Sequence, residues 1–371
     1  MVFFNKIFSK LLSKSGSYNF YKNNYENLTN QNKKLKNCNE NLSADLKKLK
    51  MDFNLKSKNL ILNKLENKQY DKLNIAIKSP NPSNARYWGD YFFALALKKA
   101  FEKKGFNVYI HEHDFWYSHN QNIDINIILR GLYEYIPNDD EINVMWNIYV
   151  PENMELTEYE NFDIVFIASE YYANEIENKV DTIVKPLLQC TDPEVFYPEF
   201  DEECCEDILF VGVPRGVYRE IIKDMMSTNF DVSIYGLRWE DYVDEKYIKG
   251  QFIQNEELHK YYSSCKILLN DHLQTMKDLD FPSNRFFDAL ACGTFIISDK
   301  INVAETLFEG TIVTYEGAED LNNKIEYYLS HDDEREKIAK KGKELVLKNH
   351  TFDNRVKSIL KCLNKLNGDI Q

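Results

Sequence analysis

Short apolar runs alternate with helix-like patterns from about residue 70 to the end of the chain. The helical pattern is clearest in GDYFFALALKKAFEKKG, residues 89–105, where a closing glycine predicts the helix end. Two series of strands are predicted: LNIAIK, NVYIH, IDINIIL, INVMW and DIVFIAS, then DILFVG, FDVSIYG, CKILLND, GTFIISD and GTIVTY. Such alternation is typical of parallel sheets covered on both faces, so we predict an α/β chain with two doubly wound sheets.

A proline-rich segment, PLLQCTDPEVFYPEF, separates the two series and shows no periodicity. We interpret it as the linker between a first Rossmann-like domain over residues 71–186 and a second over 187–350. The end of the chain predicts two amphipathic helices broken near His350, and the last, 351–367, is predicted to pack back on the first domain. Two such domains facing each other would form a cleft for two substrates.

The first residues of the chain predict an amphipathic helix. Residues 1–16 place large apolar side chains at helical spacing, with Lys6, Lys10 and Lys14 on the other side. The stretch is too short to span a bilayer and lacks the small-residue cleavage site of a signal peptide. We predict that it lies in the plane of an anionic membrane; the alternative is that it packs on the rest of the chain or on a partner protein.

Residues 17–70 carry a seven-residue repeat. Leu28, Leu35, Leu42 and Leu49 form one seam, and the companion seam holds Asn32, Asn39, Leu46, Phe53 and Leu60. This pattern predicts a coiled coil that joins two copies of the chain, because a buried asparagine favours two in-register strands at some cost in stability. The alternative is a solvated helix or a disordered tether rich in lysine and asparagine.

Charge is distributed unevenly along the chain. The net charge is −13, yet the first 70 residues hold fourteen lysines and only five acidic residues, so the body is strongly acidic. An acidic body argues against nucleic acid as a partner, since binding to a phosphate backbone needs clustered basic residues. The seven cysteines include no CxxC pair, which favours a reducing, cytoplasmic compartment.

The loops that follow the strands of the second sheet are rich in arginine and glycine. In doubly wound sheets ligands bind at the carboxyl ends of the strands, and guanidinium groups beside backbone amides suit a diphosphate. Neither a G-x-G-x-x-G after a first strand nor a GxxxxGK[ST] is present, which disfavours dinucleotide redox cofactors and P-loop NTP hydrolysis. The loops predict a nucleotide site, and they supply Gly212, Arg215, Gly216, Arg219, Arg238, Asn270, His272, Arg285 and Asp288.

Several of these segments resemble a known family. The linker LLQCTDPEVFYPEF, the stretches ILFVGVPRGVYRE, IYGLRW and KILLND, and above all SNRFFDALACGTFIISD are similar to group-1 GT-B glycosyltransferases, in the branch described as spore-maturation-protein-like. The resemblance covers roughly residues 73–360. It implies the GT-B fold, with an N-terminal acceptor domain and a C-terminal domain that binds a nucleotide sugar.

The resemblance also implies roles for individual residues. Two acids eight positions apart, Asp280 and Asp288, stand where related transferases have glutamates near the donor, and the second would hold the ribose hydroxyls. The implied catalytic set is Arg215, Arg285 and Asp280. The implied donor-binding set is Gly212, Arg219, Arg238, Asn270, His272, Asp288 and Gly293. Gly89, Asp90 and Arg130 are the residues expected on the acceptor side. The structural alternative for Asp288 and Arg285 is a helix-capping acid with its salt-bridge partner.

The implied reaction is transfer of a sugar, of the hexosyl kind, to a glycan, lipid-linked or protein acceptor. Arginines can neutralise the leaving diphosphate, so we expect neither a metal nor another cofactor. Retention of anomeric configuration is implied; inversion would need a base, for which Asp90 and His113 are candidates. We expect a cytoplasmic enzyme, peripheral at the inner face of a membrane.

Two other interpretations stay open at this point. DLD at 278–280 or HEHD at 111–114 could hold a metal, as in a single-sheet GT-A transferase. A chain with Asp in place of Glu could also keep a sugar-nucleotide fold for binding only, and act as a scaffold through its coiled coil.

Overall fold

The computed structural model describes residues 16–149 and 154–369. The chain forms two compact units, residues 1–58 and 59–371. The predicted amphipathic helix at 1–16 lies almost wholly outside the described residues. Among those that are described, no helix is long and apolar enough to cross a bilayer.

One helix, α1, runs without a break over Gly16–Glu66. The leucines of the heptad seam are exposed along it, as are Leu46 and Phe53 of the companion seam. Its last turns differ, because Ile61, Leu62 and Leu65 are buried in the core of the domain that follows. The helix therefore extends from the heptad segment into the first domain.

The first domain is built on a six-stranded parallel sheet of order β2-β1-β3-β4-β5-β6. Its strands are β1 (Asn74–Ser79), β2 (Asn107–Glu112), β3 (Ile125–Arg130), β4 (Ile142–Asn147), β5 (Ile164–Ile167) and β6 (Ile183–Pro186). Every residue of β3 and β4 is buried, as expected for central strands covered on both faces. The helices of this domain are α2 (Gly89–Glu102), α3 (Leu156–Glu160) and α4 (Glu170–Glu177).

The second domain repeats this plan. Its six parallel strands have the order β12-β11-β10-β7-β8-β9. They are β7 (Glu206–Val211), β8 (Ser233–Tyr235), β9 (Ile248–Gly250), β10 (Cys265–Asn270), β11 (Ile296–Asp299) and β12 (Val313–Tyr315). The helices are α5 (Glu220–Met225), α6 (Leu258–Ser264), α7 (Gln274–Asp278), α8 (Asn284–Ala291), α9 (Asn302–Glu305), α10 (Gly317–Leu329), α11 (Asp332–Asn349) and α12 (Phe352–Asp369). Two apolar clusters cover the two faces of this sheet.

The predicted α/β fold with two doubly wound sheets is confirmed, but the sequence did not predict β6 or β9. Both are short edge strands, and their exposed residues break the apolar run that marks a central strand. Prediction from apolar runs therefore finds the buried strands and the edge strands β2 and β12, and misses the two edge strands that lack an apolar run.

The chain crosses between the domains twice, and the two crossings pair with each other. Thr191 and Thr351 form an isolated parallel bridge. Arg355 is buried, and its guanidinium donates to the carbonyls of Leu188 at 2.6 Å and Asn349 at 3.1 Å, one on each crossing. Beyond the second crossing, the apolar face of α12 packs into the core of the first domain.

Burial of His350 at this crossing predicts acid sensitivity. Desolvation, and then the Arg355 cation, lower the pKa of His350 from 6.5 to about 4. The neutral imidazole contributes stability that is fully present above about pH 6.5 and is lost as the pH falls toward 4, since the unfolded chain binds the proton first. We expect the melting temperature to fall between pH 6.5 and 5, and to fall less steeply in a His350→Gln variant. Equal slopes for the two proteins would contradict this.

Candidate active site

The second sheet changes direction between β7 and β10, which lie side by side while the chain runs outward from each. The loop after β7 and the loop after β10 therefore open away from each other at the carboxyl edge, leaving a crevice. The loop after β7 spans residues 212–219, and the one after β10 leads from Asp271 into α7. Most of the polar residues predicted from the sequence lie in or next to these two loops.

Two glycines let the backbone form a tight cradle here. Gly212 has φ 153°, and its amide donates to the carbonyl of Tyr235 at 2.9 Å. A Cβ at Gly236 would lie 2.0 Å from the Gly212 carbonyl oxygen. The indole of Trp239 donates to that same oxygen at 2.7 Å. Any side chain at 236 would push the loop after β7 out of place.

Arg215 lies in this loop in a left-handed conformation, with φ 58°. No carboxylate of the described residues lies within 4 Å of it to form an ion pair. Its side chain reaches solvent, yet surrounding protein lowers the pKa of the guanidinium, first by desolvation and then through the positive charges of Arg219 and Arg285. The loop thus places the cation of Arg215 near those of Arg219 and Arg285, and three neighbouring cations are suited to binding an anion.

Arg285 lies in the first turn of α8 and joins the two loops from behind. Its Nη1 donates to the Asn270 side chain at 2.7 Å, and its Nη2 donates to the Val211 carbonyl. The guanidinium stands 5.5 Å from the centre of the Phe210 ring. It has no carboxylate within 4 Å among the described residues, and its Nε is buried without a hydrogen-bond partner. Arg285 is therefore a second arginine whose charge is not neutralised by direct contact.

Arg219 differs from these two because Asp271 neutralises it. Its Nε donates to Asp271 Oδ2 at 2.9 Å, its Nη2 contacts Oδ1, and the pair is almost fully buried. Arg219 is the last residue of the loop before α5 and Asp271 follows β10, so the pair braces the two loops against each other. This placement favours a bracing role for Arg219 over the direct donor contact predicted from the sequence.

His272 and Asn270 also have internal partners. The His272 ring lies 2.7 Å from Asp299 through Nδ1 and accepts from the Ser283 amide at 3.0 Å through Nε2. Asn270 is buried and holds Arg285 on one side and the Ser298 hydroxyl at 3.0 Å on the other. Both were predicted to bind the donor, whereas their contacts orient the start of α8.

Asp288 lies one turn further along α8, facing the first interdomain crossing. It accepts a hydrogen bond of 2.7 Å from Asn284, and desolvation raises the pKa of its carboxyl from 3.8 to about 8. The Thr191 hydroxyl favours the ionised carboxyl without completing a hydrogen bond to it. Three buried polar atoms in this group lack a partner: Thr191 Oγ1, Asn284 Oδ1 and Arg285 Nε. Unsatisfied buried atoms around a carboxyl provide partners for hydroxyl groups of a ligand.

The other predicted acid, Asp280, has both oxygens engaged. Oδ1 accepts from the Val303 amide at 2.8 Å and Oδ2 from Asn302 at 3.1 Å, at the start of α9. The side chain is 9% exposed, and the residue has φ 55°. These contacts favour a structural role over the predicted catalytic one.

The remaining predicted donor residues lie in different places. Arg238 is exposed in the loop after β8, with φ 68°. Gly293 follows the last turn of α8 with φ 78°, and β11 begins three residues later. It therefore lies at the amino edge of the sheet, opposite the crevice, where its positive φ ends the helix; this placement favours a helix-terminating role.

The three residues predicted on the acceptor side have three different environments. Arg130 is buried and fully paired, with Nε and Nη2 at 2.5 and 2.9 Å from Glu158. Gly89 opens α2 with nothing within 4 Å of the position a Cβ would take. Next to it, desolvation raises the pKa of Asp90 while the charge of Arg215 lowers it. The charge of Arg215, in the second domain, thus acts on the pKa of Asp90, in the first domain.

The carboxylates of the two metal-motif candidates are occupied. In HEHD, Glu112 pairs with Arg86 at 2.6 Å and Asp114 accepts from the Ser83 hydroxyl at 2.8 Å. In DLD, Asp278 accepts from Gln274 at 2.7 Å. Within the described ranges, no three His, Cys, Asp or Glu side chains converge as a metal site would require.

Four functional neighbours were not predicted: Thr191, Asp271, Asn284 and Asp299. Asp271 and Asn284 adjoin predicted residues in NDHLQ and SNRFFD, so position alone could have suggested them. Thr191 could not be found in this way, because only the interdomain crossing brings it to Asp288.

Two doubly wound domains, the second with a switch-point crevice at the carboxyl edge of its sheet, define a GT-B fold. Solved structures agree: a sucrose-phosphate synthase from Thermosynechococcus elongatus has a TM-score of 0.61 at 12% identity, covering 80% of this chain and 100% of that one. An α-glucosyltransferase in complex with UDP and DNA has a TM-score of 0.58 at 14% identity, covering 79% and 100%.

The sequence comparisons agree with this fold. Residues 215–361 match the family described as glycosyl transferase-like, and the resemblance to group-1 GT-B glycosyltransferases is confirmed. Spore protein CgeB of Bacillus subtilis (strain 168) is 26% identical over 164 residues, which are 40% of this chain and 50% of CgeB. The matched stretch thus spans about half the length of that curated relative.

Proposed function

We propose that this protein transfers a sugar from a nucleotide-diphosphate sugar to an acceptor held by the first domain. The observation that carries the proposal is the pair Arg215 and Arg285, which lie at the switch point without a carboxylate within 4 Å among the described residues. Two guanidinium groups beside a glycine-rich loop favour a diphosphate. The unsatisfied polar atoms around Asp288 supply partners for the two hydroxyls of a ribose.

The chemistry follows from where charge develops. The bond between the anomeric carbon and the diphosphate oxygen breaks, and its electron pair stays on the diphosphate. An acceptor hydroxyl oxygen bonds to that carbon, and its proton passes to the departing diphosphate oxygen. Preorganised donors that meet such developing charge contribute about 10²–10³-fold each in rate. Because arginine charge serves this purpose, we propose a metal-independent reaction.

We propose retention of anomeric configuration without a protein nucleophile. The carboxylate of Asp280 is held by Asn302 and Val303 and so is not free to attack. Asp90 is the residue that would serve as base in an inverting reaction, because desolvation raises its pKa. The anomeric configuration of the first product, read by NMR before mutarotation, distinguishes the two.

The acceptor we propose is a glycan, lipid-linked or protein hydroxyl at the cytoplasmic face of the cell envelope, and the sugar a hexose. One relative is named as a spore protein, and this name is the reason for placing the proposed acceptor at the cell envelope. UDP is bound in one structural neighbour, so UDP-sugars are the first probes.

A thermal-shift screen of the full chain against UDP, GDP, dTDP, ADP and CMP sugars tests donor binding. Ligand at one hundred times its dissociation constant should add about 2.7 kcal/mol to the free energy of unfolding. Release of free sugar and nucleotide from the binding donor then tests turnover. No shift with any donor would overturn the donor site, whereas a shift without turnover on added glycans would indicate a binding scaffold.

For residues 1–16 we propose membrane attachment, with each lysine near an anionic surface contributing about 1 kcal/mol. The full chain is expected to co-sediment with vesicles containing anionic lipid and to stay in solution with neutral ones. A chain lacking residues 1–16 should lose this binding. Equal sedimentation with neutral vesicles, or binding that survives the deletion, would contradict the proposal.

We also propose that the protein acts as a homodimer joined through α1. The exposed leucine seam supports this, since a monomer would leave it uncovered.

A further inference from the structure

The heptad segment of α1 presents a continuous apolar stripe. Leu28, Leu35, Leu42 and Leu49 are 58%, 63%, 61% and 66% exposed on a helix that runs without a break from Gly16 to Glu66. Helices in proteins gain most of their stability from packing an apolar face against another element. A stripe of this length, repeating every seven residues, fits another helix with the same repeat.

Two asparagines, Asn32 and Asn39, interrupt the companion seam. Their pairing differs between a parallel and an antiparallel pair of helices. In a parallel, in-register pair each seam residue faces its own counterpart, so Asn32 meets Asn32 and Asn39 meets Asn39. An amide carries both donors and an acceptor, so two facing amides can bond each other. In an antiparallel pair this seam faces the leucine seam instead. Each buried amide would then face leucine or another residue of that seam, with no like amide to pair with.

The charged residues that flank the two seams also favour a parallel orientation. Beside the leucine seam stand Lys36 and Lys50, and beside the asparagine seam stand Asp45 and Asp52. A parallel pair sets each flank of one helix against the opposite flank of the other, which brings Asp45 toward Lys50 of the second copy. An antiparallel pair sets like flanks together, lysine against lysine and aspartate against aspartate, which is unfavourable.

We infer that the partner of α1 is a second copy of this chain, parallel and in register, with Asn32 and Asn39 each facing its own counterpart. This inference rests on the proposed homodimer and specifies its geometry. A parallel pair sets both copies of residues 1–16 at one end of the helices. Two weak membrane anchors on one particle would then act at high effective concentration.

Disulfide trapping in the full chain tests the geometry. In a background where the exposed Cys38 and Cys205 are replaced by serine, single cysteines are introduced as Leu28→Cys, Leu35→Cys and Leu42→Cys. In-register parallel helices place each cysteine next to its own counterpart, so all three should form dimers under mild oxidation. In an antiparallel pair at most one position can face itself. Asn37→Cys, on the outer face of the helix, is the matched control and should stay uncrosslinked.

Sedimentation equilibrium of the unmodified chain tests whether the protein is a homodimer, separately from the parallel register that the crosslinks test. A dimer with crosslinks at all three positions supports the proposal. A dimer with crosslinks at one position or none overturns the parallel register and leaves the homodimer standing. A monomer overturns both. Replacing Asn32 and Asn39 by isoleucine should raise the melting temperature of the helix pair, because a buried asparagine in a seam costs stability, whereas an unchanged melting temperature would count against burial of the two asparagines.

Discussion

An Arg215→Gln variant is expected to turn over about 10²–10³-fold more slowly than the wild-type protein while melting at nearly the same temperature. The side chain reaches solvent and has no ion-pair partner among the described residues, so its loss should leave little of the fold unsupported. Its charge lies against Arg219 and Arg285, which shows in the lowered pKa of its guanidinium. Removing it relieves repulsion in the empty site and weakens the site only when a diphosphate is present.

The effect should fall on turnover more than on donor binding, because charge on the diphosphate grows as the glycosidic bond breaks. Arg215→Lys keeps the charge but loses the two-pronged fork, so an intermediate rate is expected. Lys266→Gln is the matched control: it removes one positive charge at the amino edge of the same sheet, where Lys266 pairs with Asp207 at 2.6 Å. Equal rate losses in Arg215→Gln and Lys266→Gln, or a loss explained by a lowered melting temperature, would refute the assignment.

The fold could be predicted because its information is local. Buried parallel strands are continuous apolar runs, and helices show their period, so ten of the strands can be recognised from the order of residues alone. The edge strands β6 and β9 cannot, since each is only three or four residues long and its exposed residues interrupt the apolar run. The long helix α1 is predicted correctly in type, but its last turns join the core of the first domain, which the heptad pattern does not indicate.

The site was predicted less evenly than the fold. A sequence indicates which loops hold arginine, histidine and aspartate, but not which of them neutralise one another. Arg219 is paired with Asp271 and His272 with Asp299, and each pair is made by residues far apart in the chain. Arg215 and Arg285 remain without a carboxylate contact among the described residues, and this difference depends on contacts between loops that the order of residues does not specify.

The pKa of Asp288 leads to the second large effect. Its carboxyl pKa is raised to about 8, so in the folded protein it holds a proton that the unfolded chain has lost above about pH 4. The stability that this carboxyl contributes is therefore fully present below about pH 4 and is lost as the pH rises from 4 to 8, with a slope of at most about 1.4 kcal/mol per pH unit. Asp288→Asn removes this dependence. The variant should be nearly neutral below about pH 4 and increasingly more stable than wild type as the pH rises to 8, with the full difference present at pH 9.

Donor affinity should change in the opposite direction. Ribose hydroxyls donate to the ionised carboxyl, so wild-type affinity for a nucleotide sugar should increase as the pH rises from 6 to 9, while the Asp288→Asn variant shows no such increase. At pH 9 the variant should bind about ten-fold or more weakly, the equivalent of a hydrogen bond to a charged group. Calorimetric titration and melting curves on the same samples measure both effects. A variant that gains stability at pH 9 but binds the donor as tightly as wild type would make Asp288 a buried helix residue without a role in binding, because burial alone accounts for the first effect and only ribose contact accounts for the second.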